Sequence, residues 1–260
     1  MKPKIITKKI NYVTNLKKPL IIAGPCSIED YDLMDLTAKF LCKIGVEYLR
    51  GGAYKPRTSP YSFQGLGDEG IGILKDIKKK YGIKIVSEII DIRDIDAIYD
   101  VVDVMQIGSR NMYNYPLLKE IGKINKKILL KRGMSATINE WINAAEYIAL
   151  EGNIDIILCE RGIRTFEDYT RNTLDINAVP IIKQRTDLKI IVDPSHGTGR
   201  SELVSSVSLG ALAAGADGLI VEIHPQPDKA LSDGFQCVNF EAFEVIYKKA
   251  LKLYNFMNEI

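Results

Sequence analysis

Short apolar runs alternate with longer stretches of helical spacing along the chain. The runs occupy residues 20–23, 47–49, 83–86, 102–107, 128–130, 154–158, 189–192 and 218–221. Each ends abruptly in a polar or glycine-bearing segment, the signature of a buried strand feeding a loop. Between them, apolar residues recur at three- and four-residue intervals, predicting amphipathic helices. Leu33, Leu36, Phe40 and Ile44 predict one helical face, and Leu203, Val207, Leu209 and Ala213 another. Further helices are expected from Gly67 to Tyr81, through Ile92, Ile95 and Ile98, over 116–124 and through Val179 and Ile182. The last uses Phe243, Ile246, Ala250 and Leu253. Thr137, with Glu140 three residues on, reads as a capping box for a helix carrying Trp141, Ala144, Ala145 and Ile148.

Eight strands, each followed by a helix, predict an α/β protein. In 260 residues the natural closure is a (β/α)8 TIM barrel. A doubly wound open sheet would need fewer strands or a second domain. No linker or low-complexity tract interrupts the rhythm, so residues 19–260 are read as one barrel domain and lysine-rich residues 1–18 as an N-terminal extension.

The formal net charge of +2 argues against a general nucleic-acid binder. Cys26, Cys42, Cys159 and Cys237 are scattered, without a CxxC pair, which suits a reducing compartment. The charged N-terminus lacks a signal-peptide core, and no apolar stretch approaches a membrane span. The expectation is a soluble cytoplasmic protein with no membrane or nucleic-acid partner.

Barrel closure brings the strand ends to one mouth. Two residue sets would meet there. The first is Cys26, His196, Glu222 and Asp233, after strands one, seven and eight. A thiolate, an imidazole and two carboxylates suit one divalent metal ion, Mn, Fe, Co or Zn. The same residues also read as a small buried thiol and a glutamate paired with a nearby base. The second set is cationic: Arg50, Lys55, Arg57, Arg110, Lys131 and Arg161, after strands two, four, five and six. So many cations around one mouth call for an anionic ligand carrying phosphate or carboxylate groups. Glu88 and Glu160 are placed to tune them. Packing roles are expected for Cys42, Cys159 and Trp141; Cys237 has no evident role, and His224 at the mouth is left open.

The segments Gly24-Pro25-Cys26-Ser27, Arg50-Gly51-Gly52-Ala53-Tyr54-Lys55-Pro56-Arg57-Thr58-Ser59-Pro60, Lys131-Arg132-Gly133, Asp193-Pro194-Ser195-His196 and Glu222-Ile223-His224-Pro225 together resemble the 3-deoxy-D-arabino-heptulosonate 7-phosphate (DAHP) synthases. The resemblance spans residues 18–255 and is nearest to the short subgroup related to 3-deoxy-D-manno-octulosonate 8-phosphate synthase. It implies condensation of phosphoenolpyruvate with erythrose 4-phosphate, the first step of the shikimate pathway. It also implies metal ligation by Cys26, His196, Glu222 and Asp233. Phosphoenolpyruvate would be held by Arg50, Lys55, Arg110, Lys131 and Arg161, with Glu160 beside them, and the aldose phosphate by Arg57, Thr58 and Ser59. Lys55 is the candidate proton donor, with Cys26, His196 and Asp233 around the reacting centre. The sister enzyme, which uses arabinose 5-phosphate, typically differs at 55–58, and some members carry Asn in place of Cys26; both departures favour the four-carbon sugar. The resemblance further implies a homo-oligomer, often a tetramer, and, with no regulatory domain, weak feedback inhibition.

Overall fold

The computed structural model describes residues 4–7, 17–55 and 59–259. Eight strands form a closed barrel in sequence order, every adjacent pair parallel: β1 (Leu20–Gly24), β2 (Tyr48–Arg50), β3 (Lys84–Ile89), β4 (Val104–Ile107), β5 (Lys127–Lys131), β6 (Ile156–Glu160), β7 (Lys189–Val192) and β8 (Gly218–Glu222). β8 returns to β1 in register, Leu20 opposite Gly218 and Gly24 opposite Glu222. The helices are α1 (Tyr31–Ile44), α2 (Asp68–Tyr81), α3 (Ile95–Tyr99), α4 (Tyr115–Gly122), α5 (Ile138–Leu150), α6 (Ala178–Arg185), α7 (Pro194–Thr198), α8 (Ser201–Ala213) and α9 (Phe240–Glu259).

Strand alternation builds two cores. Outward residues such as Ala23, Leu49, Ile85, Met105, Leu130, Leu158, Ile190 and Val221 pack beneath the helices. Inward residues Ile22, Val86, Val104, Leu129, Ile157, Ile191 and Ile220 fill the barrel, with Tyr48 against them. On most of the strands the inward position two residues further along turns polar. Val86 gives way to Glu88, Val104 to Gln106, Leu129 to Lys131, Ile191 to Asp193 and Ile220 to Glu222. The apolar plug thus ends in a charged floor at the C-terminal mouth.

Closure requires two glycines. A Cβ at Gly218 would lie 1.9 Å from the Leu20 carbonyl oxygen. At Gly24, φ is +152° and a Cβ would come within 2.0 Å of the Arg50 carbonyl oxygen. Both bind β1 tightly to its neighbours, where the site forms.

Several sequence expectations shift. In α1 the buried face is Leu33, Met34, Thr37, Ala38 and Leu41, and Leu36 is exposed. In α8 it is Val204, Ser208, Ala211 and Leu212, leaving Leu203, Val207 and Leu209 half-exposed. Ile154 lies outside β6 and is exposed. Residues 194–198, expected to be loop, form α7, with the Asp193 side chain accepting from the His196 N–H and Pro194 in the first turn. The capping box at Thr137 and Glu140 forms as expected. No described helix is long and apolar enough to cross a membrane.

Candidate metal and anion site

Cys26 lies two residues beyond β1, His196 on α7, Glu222 at the end of β8 and Asp233 in the β8–α9 connection. One donor atom from each lies within 4.8 Å of all the others. Cys26 and Glu222 are buried, while His196 and Asp233 open partly toward the mouth. The Cys26 thiol donates to Asp233 Oδ2 at 3.0 Å, and His196 Nε2 stands 3.5 Å from Glu222 Oε1. Asp233 adopts left-handed backbone with φ 54°, the one described non-glycine residue to do so. Such strain concentrates at functional positions.

Electrostatics here is divided. Burial and then Glu222 push the Cys26 thiol up to about 12. Burial also lowers His196 against the pull of Asp193 and Glu222, favouring the neutral imidazole. Its Nδ1 lies 2.8 Å from Asp193 Oδ2, so the ring proton belongs on Nδ1 and the Nε2 lone pair faces the cluster. Glu222 and Asp233 are held low despite burial, Glu222 by His196 and Arg50, Asp233 to about 2 by the Cys26 hydrogen bond and His196.

Arg50 Nη1 lies 3.0 Å from Glu222 Oε1, yet neither atom has a hydrogen-bond alignment, and Glu222 Oε1 is a buried acceptor without a donor. The other oxygen, Oε2, accepts from Gln236 Nε2 at 2.5 Å. An unsatisfied carboxylate oxygen beside a neutral imidazole, a second carboxylate and a thiol is a donor set that fits one divalent ion. Donors around an ion bound at about 2.0–2.3 Å lie within about 4.5 Å of one another, close to the spread found here. Glu222 thus lies in the cluster and also pairs with a base, Arg50.

Above the cluster is a cavity of about 250 Å³, with Arg50, Lys55, Arg110, Lys131, Arg161, Arg164 and Arg171 on its walls against Glu88 and Asp233. Gln106, Ser109, Met134, Asn172 and His196 complete much of the lining. Lys55 and Arg50 are buried and both donate to the Cys26 carbonyl, at 3.0 and 3.3 Å. Despite burial, Cys26 and Glu88 raise the Lys55 ammonium above its ordinary value, so it is charged at neutral pH.

The structure therefore brings together Arg50, Lys55, Arg110, Lys131 and Arg161 with the four cluster residues. It does not bring Glu160 to the cavity. That carboxylate is fully buried and accepts from Arg132 Nη1 at 2.9 Å and the Gly162 N–H at 2.7 Å, so it fastens the turn after β6. Ser59 is exposed and caps its own loop by accepting from the Tyr61 N–H. Arg57 and Thr58 lie outside the described residues. Cys42 is exposed rather than packed, and Cys159 belongs to the barrel core. Trp141 is buried and donates to the Leu130 carbonyl at 3.1 Å. Cys237 is buried, its thiol 3.5 Å from the Asp233 carbonyl, and braces that turn. His224 accepts from the Gln226 N–H and lies 3.7 Å from Glu29, tying two loops together away from the cluster.

Sequence reasoning missed Arg164 and Arg171, both on the long β6–α6 connection. Arg171 Nη1 lies 2.7 Å from Gln236 Oε1 and 3.3 Å from Asp233 Oδ1. Only the folded loop shows this. Asp193 was also missed, although Asp-Pro ahead of His196 is a helix-start signal.

Residues 7–257 match the model of the DAHP synthetase I family. The phospho-2-dehydro-3-deoxyheptonate aldolase of Thermotoga maritima is 54% identical over 233 residues, 90% of this chain and 69% of that protein. A 2-dehydro-3-deoxyphosphooctonate aldolase of Desulfosudis oleivorans is 31% identical over 243 residues, 86% of each chain. The crystal structure of a Thermotoga maritima DAHP synthase superposes with a TM-score of 0.93 at 48% identity, covering 99% of this chain and 78% of that one. With the barrel, the cluster and the cationic mouth in place, these matches make the chain a member of the DAHP synthetase I family.

Proposed function

We infer that this enzyme is a metal-dependent 3-deoxy-7-phosphoheptulonate synthase. It condenses phosphoenolpyruvate with erythrose 4-phosphate and water, giving 3-deoxy-D-arabino-heptulosonate 7-phosphate and inorganic phosphate. One juxtaposition carries the reading: a four-donor S/N/O/O cluster reaches, through His196 and Asp233, into a cavity whose walls are cationic. The 54% identity to a heptonate aldolase, against 31% to an octonate aldolase, favours the four-carbon sugar.

Arg110, Lys131 and Arg161 are proposed to hold the phosphate and carboxylate of phosphoenolpyruvate, with Arg50 and Lys55 at the deeper end. Fixing both ionic groups presents C3 to the aldehyde carbon and makes the encounter effectively intramolecular. Carbon–carbon bond formation leaves an alkoxide at the former aldehyde and positive character at C2. Lys55, charged and held beside Cys26, is the proposed donor to that alkoxide. Water adds at C2 and phosphate departs with cleavage of its C–O bond. Cys26, His196, Glu222 and Asp233 would hold the divalent ion, Mn, Fe, Co or Zn, which supplies Lewis acidity toward the aldehyde oxygen. Arg57, Thr58 and Ser59 are proposed for the sugar phosphate.

Four free cysteines support a reducing, cytoplasmic setting. The half-exposed apolar residues Leu203, Val207 and Leu209 on α8 support assembly into a homo-oligomer, with a tetramer as the family resemblance implies. One barrel over 19–260, with 1–18 as an extension, is the proposed domain arrangement.

The test is phosphate release from phosphoenolpyruvate with erythrose 4-phosphate or arabinose 5-phosphate, before and after EDTA and after Mn²⁺ addition. Turnover with the four-carbon sugar, lost with EDTA and restored by Mn²⁺, is expected. Turnover with arabinose 5-phosphate alone would transfer the enzyme to the sister reaction. EDTA-resistant turnover would remove the metal from the mechanism.

A further inference from the structure

Asp193 is fully buried at the end of β7, and none of the chemistry above uses it. Its Oδ1 accepts from the His196 N–H at 2.9 Å. Its Oδ2 faces two donors at once, His196 Nδ1 at 2.8 Å and Lys131 Nζ at 2.6 Å. Lys131 is a cavity cation and His196 a cluster donor, so a single carboxylate oxygen joins the two sets. Its own backbone N–H donates to the Glu160 carbonyl at 2.8 Å, which fixes its height against the neighbouring strand β6. A carboxylate on the remote ring nitrogen of a metal-binding histidine orients the ring and raises its basicity. Here that hold is shared with an ammonium. An anion that draws Lys131 toward the cavity leaves more of the oxygen's charge to His196.

We propose that Asp193 is a positioning residue that couples the two halves of the site, so that phosphoenolpyruvate at Lys131 tightens divalent metal binding at His196, and the metal tightens phosphoenolpyruvate in return. The inference rests on the site assignment of the preceding subsection. Reciprocity follows from thermodynamic linkage. Arg171 also touches the cluster, but it is partly exposed and meets Asp233 and Gln236 from the rim.

The experiment is Mn²⁺ binding by equilibrium dialysis, with and without saturating phosphoenolpyruvate, on wild type, Asp193→Asn and Lys131→Met. Asparagine keeps the acceptor for the His196 N–H and removes the charge. Wild type should bind Mn²⁺ about fivefold or more tightly with phosphoenolpyruvate present. Asp193→Asn should weaken substrate-free Mn²⁺ binding about 10- to 100-fold and lose most of the tightening. Lys131→Met, at phosphoenolpyruvate concentrations that saturate it, should bind substrate-free Mn²⁺ at least as tightly as wild type and lose the tightening. Wild-type affinity unmoved by phosphoenolpyruvate, or tightening retained in either variant, overturns the proposal. Should Asp193→Asn fail to fold by circular dichroism, Lys131→Met decides alone by the same criterion. Wild type that shows the coupling yet releases no phosphate fails the functional assignment only. Wild type that turns over while the variants keep the coupling fails this inference only.

Discussion

Cys26 is a thiol that its surroundings keep protonated and its neighbours make useful. Burial and Glu222 push it up to about 12, and Asp233 accepts its hydrogen bond. Only a strong local cation makes a thiolate the preferred state in such a place. Cys26→Ala removes the softest donor while leaving His196 and both carboxylates. It should weaken Mn²⁺ affinity by at least about 10-fold, the lower limit for losing even an outer partner of a metal site. Turnover at limiting metal should fall in parallel, measured by Mn²⁺ titration of phosphate release. An alanine variant with full activity after chelation would sink the metal reading. At this scale the sequence was informative for residues that end a strand, as Arg50, Lys131 and Glu222 do, or lie just beyond one, as Cys26 does. Arg171 and Arg164 reach the cavity through a loop whose path no local pattern encodes. Glu160 also ends a strand, but its carboxylate turns aside to Arg132 and the Gly162 N–H.

Elements were legible where a local chemical rule fixes them and less so where packing decides. The strands were recognisable as apolar runs, but β3 and β5 continue into Glu88 and Lys131 because inward positions near the mouth are charged, and β6 ends on Glu160, whose outward carboxylate is buried against Arg132. Hydrophobicity alone therefore ends these strands early. The face of α8 was misjudged because Ser208 is buried while Leu203 is not, an arrangement set by the neighbouring elements. The capping box of α5 needed no such help. Thr137 Oγ1 accepts from the Glu140 N–H at 3.2 Å, and Glu140 accepts from the Thr137 N–H at 2.7 Å. Thr137→Ala should cost about 1 kcal/mol at neutral pH, read from urea unfolding. The Glu140 half of the box titrates. The Thr137 backbone and hydroxyl hold that carboxyl below its ordinary value. A depressed carboxyl adds stability above its unfolded pKa of about 4.3 and loses it as pH falls through the folded value. Glu140→Ala should therefore be less stable than wild type at pH 7, and the gap should close in stronger acid. A gap unchanged at pH 3 would show that the ionised carboxylate contributes nothing.

For the whole molecule, the balanced total charge conceals a sharp separation. The chain carries +2 overall, yet its cavity gathers seven cations against Glu88 and Asp233, while Cys26, Glu222 and Asp193 form a buried floor beside His196 and Asp233. The barrel makes this possible by closing β8 onto β1 through Gly218, which places Glu222 at the end of β8 and Asp233 beyond it beside the thiol that follows β1. Without a metal, that floor must keep several acidic groups close together, relying on Arg50, Lys131, Gln236 and Arg171 to hold them. An ion binding only the folded arrangement stabilises it by mass action, about 2.7 kcal/mol at 100 times its dissociation constant. For a chain of this size, about 2–4 °C of melting temperature accompanies each kcal/mol. Mn²⁺ at that excess should therefore raise the melting temperature by about 5–10 °C over an EDTA-treated sample, by differential scanning calorimetry. Cys26→Ala should shrink the increase, whereas Thr137→Ala should lower both temperatures and leave the difference intact. An increase identical in wild type and Cys26→Ala would locate metal binding elsewhere. No increase in either would leave the four residues as an ionic network completed by Arg50 and Gln236, with the condensation proceeding on the cations alone.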